Sequence, residues 1–289
     1  MNNGLRSETA SALFDDIKPY LRSSIEAINS LHFQDCRKEL IQAKLRVRKQ
    51  RNGTETRTED HLNDTYVICR YIDFLGAYSR LWKKLVTEQF AESWTVLQDC
   101  LGLLRLIKQF SELDVAFFEA QLVAAERLYP YNLFASIGCT VGHYECSLCG
   151  KDIDSEQCPH RRGHLYGGKR AIAIARDILV DHIGVVANPV DKRCVLTLSD
   201  GPRDQFPIVR YLSSLLNLGN VTPLTFDHPQ FSNIRKANPK WVKLPRNQLC
   251  YCRSGKKFKK CCMTKEYIET DHVDIIYRES PALDLIPLG

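Results

Sequence analysis

No stretch of this 289-residue chain approaches the roughly 20 consecutive apolar residues needed to cross a bilayer, so a membrane-spanning helix is not expected. The first eight residues, Met1 to Glu8, contain no apolar signal-peptide core, and a reducing cytoplasmic setting is the expectation. There is also no Walker loop, no Gly-x-Ser-x-Gly elbow, no His-Glu-x-x-His pair and no Rossmann glycine fingerprint. The common signatures of nucleotide, hydrolase and dinucleotide chemistry are therefore missing, and a non-enzymatic role is favoured. Charge is nearly balanced, at a formal +6, so the whole chain is not a polyanion binder by composition.

What the chain does have is twelve cysteines, seven of them in two tight clusters. Near the C-terminus, Cys250, Cys252, Cys261 and Cys262 lie within one short window whose filler is Arg253, Ser254, Gly255, Lys256, Lys257, Phe258, Lys259 and Lys260. Neighbouring and one-apart cysteines do not readily form disulfides with each other. Four thiolates instead complete a tetrahedral zinc shell, and a shell with no open position is structural rather than catalytic. With Arg246 and Asn247 in front, the window 245–263 resembles the SEC-C motif, the zinc-binding tail of the bacterial secretion ATPase SecA. Tyr251, Arg253 and Met263 depart from the residues usual in that family, which are proline and two glycines.

The resemblance implies a docking role, since the SecA tail is a docking site for a chaperone and for the ribosome. Charge agrees with a docking surface. Between Lys240 and Lys260 the chain carries eight basic residues and no acidic one. Lys243, Arg246, Arg253, Lys256, Lys257, Lys259 and Lys260 are the candidates for contact with a protein partner or, in the alternative reading, with nucleic-acid phosphates, as in an antiphage or mobile-element component. The segment after Thr264 has the opposite sign, with six acidic residues and two basic ones, and is expected to fold back over the patch.

The second cluster is central. Cys146, Cys149 and Gly150 form a Cys-x2-Cys-Gly turn, in which backbone amides can point at sulfur, and Cys158 with His160 supplies the remaining two ligands. His164 competes with His160 for the fourth position. The pattern is similar to small zinc modules of prophage-type bacterial proteins, for which it implies metal but no activity. Two zinc ions per chain are expected. A rival reading, an HNH-like nuclease, would take Asp181, His182 and Asn188, but their spacing is too short and no second Cys-x2-Cys follows.

The remaining pattern predicts an α+β, mainly α fold: an N-terminal helical bundle, a central zinc-stapled module with short strands, and a C-terminal zinc knuckle. Apolar residues recur at three- and four-residue steps through most of residues 8–129, with Phe14, Ile17, Leu21, Ile25 and Ile28 forming one face of the first helix. The apolar face around Tyr71, Ile72, Leu75, Tyr78 and Trp82 is too broad for a surface helix and marks the bundle centre. Helices are expected over about 92–110 and, from a Ser111 cap, 112–128. Ile183, Val185 and Val186 read as strand interior, and Cys194, Leu196 and Leu198 as a second short strand. Cys36, Cys69, Cys100, Cys139 and Cys194 read as core residues. The boundaries that follow are 1–130 helical domain, 131–221 zinc module, 222–244 linker marked by Pro223, Pro229 and Pro239, 245–263 knuckle, and 264–289 acidic tail.

Overall fold

The computed structural model describes residues 4–51, 58–197, 205–238, 244–252 and 254–286. The fold is α+β and mainly α. Five helices come first: α1 (Glu8–Asn29), α2 (Phe33–Arg51), α3 (Glu59–Val86), α4 (Phe90–Phe110) and α5 (Ala116–Glu126). A sixth, α6 (Pro207–Asn217), follows the central module. Ser7 caps α1 by accepting from the Ala10 amide, and Thr58 caps α3 by accepting from His61. Pro19 sits inside α1 without ending it.

The centre of the bundle is α3, as its broad apolar face requires. Tyr71, Phe74, Tyr78 and Trp82 are all fully buried and form a ladder along it. Phe118 of α5 meets Phe74 and Tyr78 edge-on at 5.0 and 5.1 Å, and Phe226 meets Trp82 at 6.0 Å. Edge-to-face contact of this kind adds to burial because the positive ring edge meets the negative face of its neighbour. Asp64 of α3 is also buried, and its carboxylate accepts from the amides of Arg6 and Ser7 at 2.8 and 2.7 Å, which ties the chain's entry into α1 to α3.

One helix start differs from expectation. Ser111 does not cap a helix; it ends α4 in an extended conformation, with its hydroxyl donating to the Ile107 carbonyl. Residues 112–115 stay non-helical because Glu112 donates its amide to Gly4 and because Leu113 and Val115 are buried, so α5 starts only at Ala116.

Strands β1 (Phe134–Cys146) and β4 (Ala173–Val186) pair antiparallel as a two-stranded ribbon, with a register shift between Gly138 and Cys139. The short strands β2 (Leu165–Tyr166) and β3 (Lys169–Arg170) make a separate hairpin inside the central module. Phe134, at the foot of β1, stacks on Trp94 of α4 and anchors the ribbon. Residues 194–196 run beside that foot, with Cys194 accepting from Ala135, but make only an isolated bridge, not a strand. Ile183 and Val185 are strand residues but not interior ones: they are 71% and 66% exposed, because among the described residues β4 has one neighbouring strand and no layer on that side. Cys139 and Cys194 are likewise exposed, whereas Cys36 and Cys100 are buried.

The stretch expected as a linker forms β5 (Phe226–Ala237), and the expected acidic tail forms β6 (Tyr267–Tyr277); the two pair with each other. The chain divides into two units, one made of Met1–Asp227 with Tyr277–Gly289 and the other of His228–Ile276. The knuckle therefore belongs to an inserted unit rather than to an appended end. Beyond it the chain returns to the first unit, where Arg278 donates its amide to Thr225 and Ala282 donates to Leu224.

In the first unit, Gln121 of α5 joins three segments: its amide nitrogen donates to the carbonyls of Pro223 and Phe226, both at 2.8 Å, and its oxygen accepts from the Tyr78 hydroxyl. Replacing Gln121 by Leu removes all three bonds and leaves the Tyr78 hydroxyl and the Pro223 carbonyl only their long mutual contact at 3.4 Å. The expected loss is about 2–4 kcal/mol in urea denaturation followed by helical circular dichroism, and a loss below about 1 kcal/mol would show that the side chain is not the joint between these segments.

Candidate metal centres

The central site begins where β1 ends. Cys146 is the last residue of that strand, and the chain turns back through Gly150, whose positive φ of 71° suits a residue without a side chain, while the Gly150 amide donates to the Cys146 carbonyl at 2.9 Å. Burial pushes the Cys146 thiol up, but hydrogen bonds from the backbone amides of Leu148 and Cys149 and from the Cys149 and Cys158 side chains together hold it below its ordinary range. This is the amide-to-sulfur arrangement that a Cys-x2-Cys turn provides.

Cys149 and Cys158 bring their sulfurs to 3.6 Å, and the Nδ1 of His160 lies 3.6 Å from the Cys146 sulfur and 3.9 Å from that of Cys158. The ligand atoms of Cys146, Cys149, Cys158 and His160 all fall within 4.8 Å of one another; His164 is not in this group. The His160 ring stands edge-on to Tyr166 at 4.7 Å, and the Tyr166 hydroxyl accepts from the Arg161 amide at 2.8 Å. Tyr166 thus positions the histidine, a role that spacing alone did not reveal.

The module is fixed to the helices at its rim. Gly168 donates its amide to Asn63 of α3, and a side chain on Gly168 would meet the Leu62 carbonyl oxygen at 2.7 Å. Glycine is required there by close approach as well as by its φ of 75°.

The second site closes Cys250, Cys252, Cys261 and Cys262 within the same 4.8 Å limit. Cys252 and Cys261 sulfurs are 3.4 Å apart, and those of Cys261 and Cys262 are 3.7 Å apart. Gly255 supplies the turn, with φ of 70°, and the Cys250 amide donates to Lys256 across it. Arg253, in the same turn, lies outside the described residues, as does Lys243. Ser254 places its hydroxyl 3.1 Å from the Cys261 sulfur, and hydrogen bonding from Ser254 holds the Cys252 thiol down at about 6. Burial pushes Cys262 up instead. Cys252 is then the thiol already ionised near neutral pH, the form that a soft metal binds.

Tyr251, where proline is usual in the resembling family, has a structural use. Its hydroxyl donates to the Asn238 side chain at the end of β5, and that same side chain donates to the carbonyls of Cys262 and Lys265 at 2.7 and 2.6 Å. Asn238 therefore clamps the two ends of the knuckle to its strand. Met263, another departure from the usual residues, fills the small core around Phe258 and Ile268.

The spacing of these atoms fits a metal. Around zinc, bonds of about 2.3 Å to sulfur and 2.0–2.1 Å to nitrogen give tetrahedron edges of about 3.8 Å between sulfurs and about 3.6 Å between sulfur and nitrogen. The separations of 3.4–3.7 Å between sulfurs and 3.6–3.9 Å to His160 lie close to those edges. A disulfide would need about 2.05 Å. Each set presents four soft ligands and no carboxylate, which suits zinc over calcium or magnesium.

The SEC-C motif matches residues 246–264. That match covers the second site and none of the first, so the helical body and the central module stand outside it. Comparison with curated proteins and with solved structures gives no match. Within the SEC-C segment, Arg246, Lys256, Lys257, Lys259 and Lys260 are all exposed, and none forms an ion pair among the described residues. Of the acidic residues expected to mask them, Glu269, Asp271 and Asp274 lie along β6, where Asp274 meets His272 at 3.0 Å, and none of the three pairs with these cations among the described residues.

The nuclease candidates do not assemble. His182 lies across Gly138 in the ribbon, Asp181 accepts from Thr140, and neither belongs to a metal-holding group among the described residues.

Chelator treatment should loosen both modules and spare the bundle. Hydrogen exchange by mass spectrometry is expected to rise in 144–173 and 246–268 while α1, α3 and α4 keep their protection. Unchanged exchange in either segment would mean that its fold does not depend on a metal.

Proposed function

We propose that this chain is a non-enzymatic zinc-binding protein that docks to a protein partner through its basic C-terminal knuckle. The observation that carries the reading is the combination of a closed four-thiol set with five exposed cations that have no ion-pair partner among the described residues. Four protein ligands leave no position on tetrahedral zinc for substrate or water, so each metal acts as a staple. Four thiolates also leave the zinc centre with a net charge of about −2, which offsets part of the surrounding positive charge; the rest faces outward. Lys243 and Arg253 join this surface on sequence alone. Leu249, 69% exposed and bridged to Lys257, places an apolar side chain among the cations, a mixture that suits a protein surface better than a phosphate backbone. The match to the SEC-C motif supports the same role, because docking is what the SecA tail does. A cytoplasmic setting, where thiols stay reduced, belongs to this reading.

Metal content decides the first half. Two zinc ions per chain are expected by mass spectrometry of the elements; Cys149→Ser and Cys252→Ser are each expected to lose one. One metal or none in the unmutated chain would undo the proposal.

Salt decides the second half. Nucleic-acid binding through these lysines would fall steeply between 50 and 200 mM salt, by about 10³-fold or more for six phosphate contacts, and fluorescence anisotropy with DNA and RNA oligonucleotides measures it directly. Docking to a protein predicts weak oligonucleotide binding at the higher salt and retention of a bound protein that Lys256→Glu with Lys259→Glu releases. Tight, salt-sensitive oligonucleotide binding lost in the same double variant would favour the nucleic-acid reading instead.

A further inference from the structure

The β1–β4 ribbon has two unlike faces. Side chains alternate across a strand, and paired residues share a face. On one side His182 lies against Gly138, Thr140 donates to Asp181, and Gly142 sits under Asp177, so polar groups dominate the middle of this face and Leu179, paired with Thr140, is its one large apolar side chain there. The same alternation contains the buried residues Phe134 and Cys146, which turn into the helices and the central module. On the other side the register pairs Ile137 with Ile183, Cys139 with Val180 and Val141 with Ile178, and Ala135 with Val185 extends the row. Ile137, Ile178, Val180, Ile183 and Val185 are 51–71% exposed.

A two-stranded ribbon with one unsupported apolar face is a poor structure in water, and sheets of this kind need a further layer against that face. We propose that the layer is a second copy of this chain, ribbon against ribbon, in a two-fold pair.

Charge points to that occupant. No charged side chain lies in the four pairs, which gives a polyanion or a charged peptide nothing to bind. Further along the same face, Arg176 and Glu145 are already closed on each other at 2.8 Å, and His143, opposite Arg176, meets Asp177 at 3.3 Å. An identical face brought against this one therefore buries no unpaired charge.

Composition points the same way. Core-like, uniformly aliphatic surfaces belong to permanent homodimers, whereas exchanging partners meet through tyrosine, tryptophan, arginine and methionine, none of which occurs in these pairs. Area is sufficient. Eight side chains with on the order of 60 Å² of exposed apolar surface each give roughly 500 Å² per copy, and a pair removes roughly 1,000 Å² from water, the lower bound for a specific interface. Sheet faces pack about 10 Å apart with interdigitating side chains, and a two-fold axis lets the same row serve both copies.

Light scattering on the full zinc-loaded chain, over concentrations up to about 100 μM, tests this, since interfaces of this size fall as weak as micromolar. The expected mass is twice the chain's 33.2 kDa. Ile183→Lys and Ile137→Lys should each give monomer at every concentration, with unchanged helical circular dichroism and metal content as the check on folding. Leu179→Lys, on the polar face and 70% exposed, should leave the pair intact. A monomeric unmutated chain over the whole range overturns the proposal, and so does a dimer that survives Ile183→Lys or one that Leu179→Lys disrupts equally. The proposal is independent of what the knuckle binds.

Discussion

Neither cysteine module can hold its chain together with apolar side chains alone. The buried cluster of the central module is Cys146, Ile153 and Ala171, and that of the knuckle is Cys250, Phe258, Cys262 and Ile268. The ligands are themselves a large share of the core. Removing solvent from so few side chains cannot offset the conformational entropy of ordering two dozen residues, so the four-ligand sets are the interaction on which both modules depend. On the zinc reading proposed above, metal binding is folding free energy for these segments, a relation typical of small zinc modules. The bundle follows the opposite rule, with its stability in the aromatic ladder along α3 and its contacts with α1, α4 and α5.

That contrast explains which parts were legible in the sequence. Candidate metal ligands declare themselves because their spacing is local and their chemistry is restrictive; the atoms that gather with the three central cysteines among the described residues are those of His160 and not of His164. Helices with a strong period were equally plain, and α3 announced its central place through the width of its apolar face. The start of α5 was obscured because Ser111 is a good cap by composition, and the distant contact of Glu112 with Gly4, together with the burial of Leu113 and Val115, keeps residues 112–115 out of the helix.

The strands were harder to read for separate reasons. β1 hides behind Gly138 and Gly142, which look like turn residues but leave room for His182 and Asp177 from the neighbouring strand. β5 contains Pro229, which suggested a linker; an outer strand of a two-stranded sheet tolerates proline because one edge needs no donor. β6 is rich in acidic residues, and its membership of a sheet depends on a partner strand forty residues earlier. Tyr166 recurs in the pattern of the small zinc modules, but its positioning role, like that of Asn238, is not read from the sequence, since each acts through a contact that only the folded chain creates.

The path of the chain through its second unit makes that unit separable in sequence from the helical body. It leaves the first unit at Asp227 and re-enters at Tyr277, and the two crossing points are neighbours, joined by the Arg278 amide to Thr225 and by the Arg278 guanidinium to Asp227 at 3.1 Å. Everything between them can be exchanged for a tight turn without rethreading the helical body. The SEC-C knuckle is mounted as a cassette, so removing its unit would leave the order of the helices unchanged.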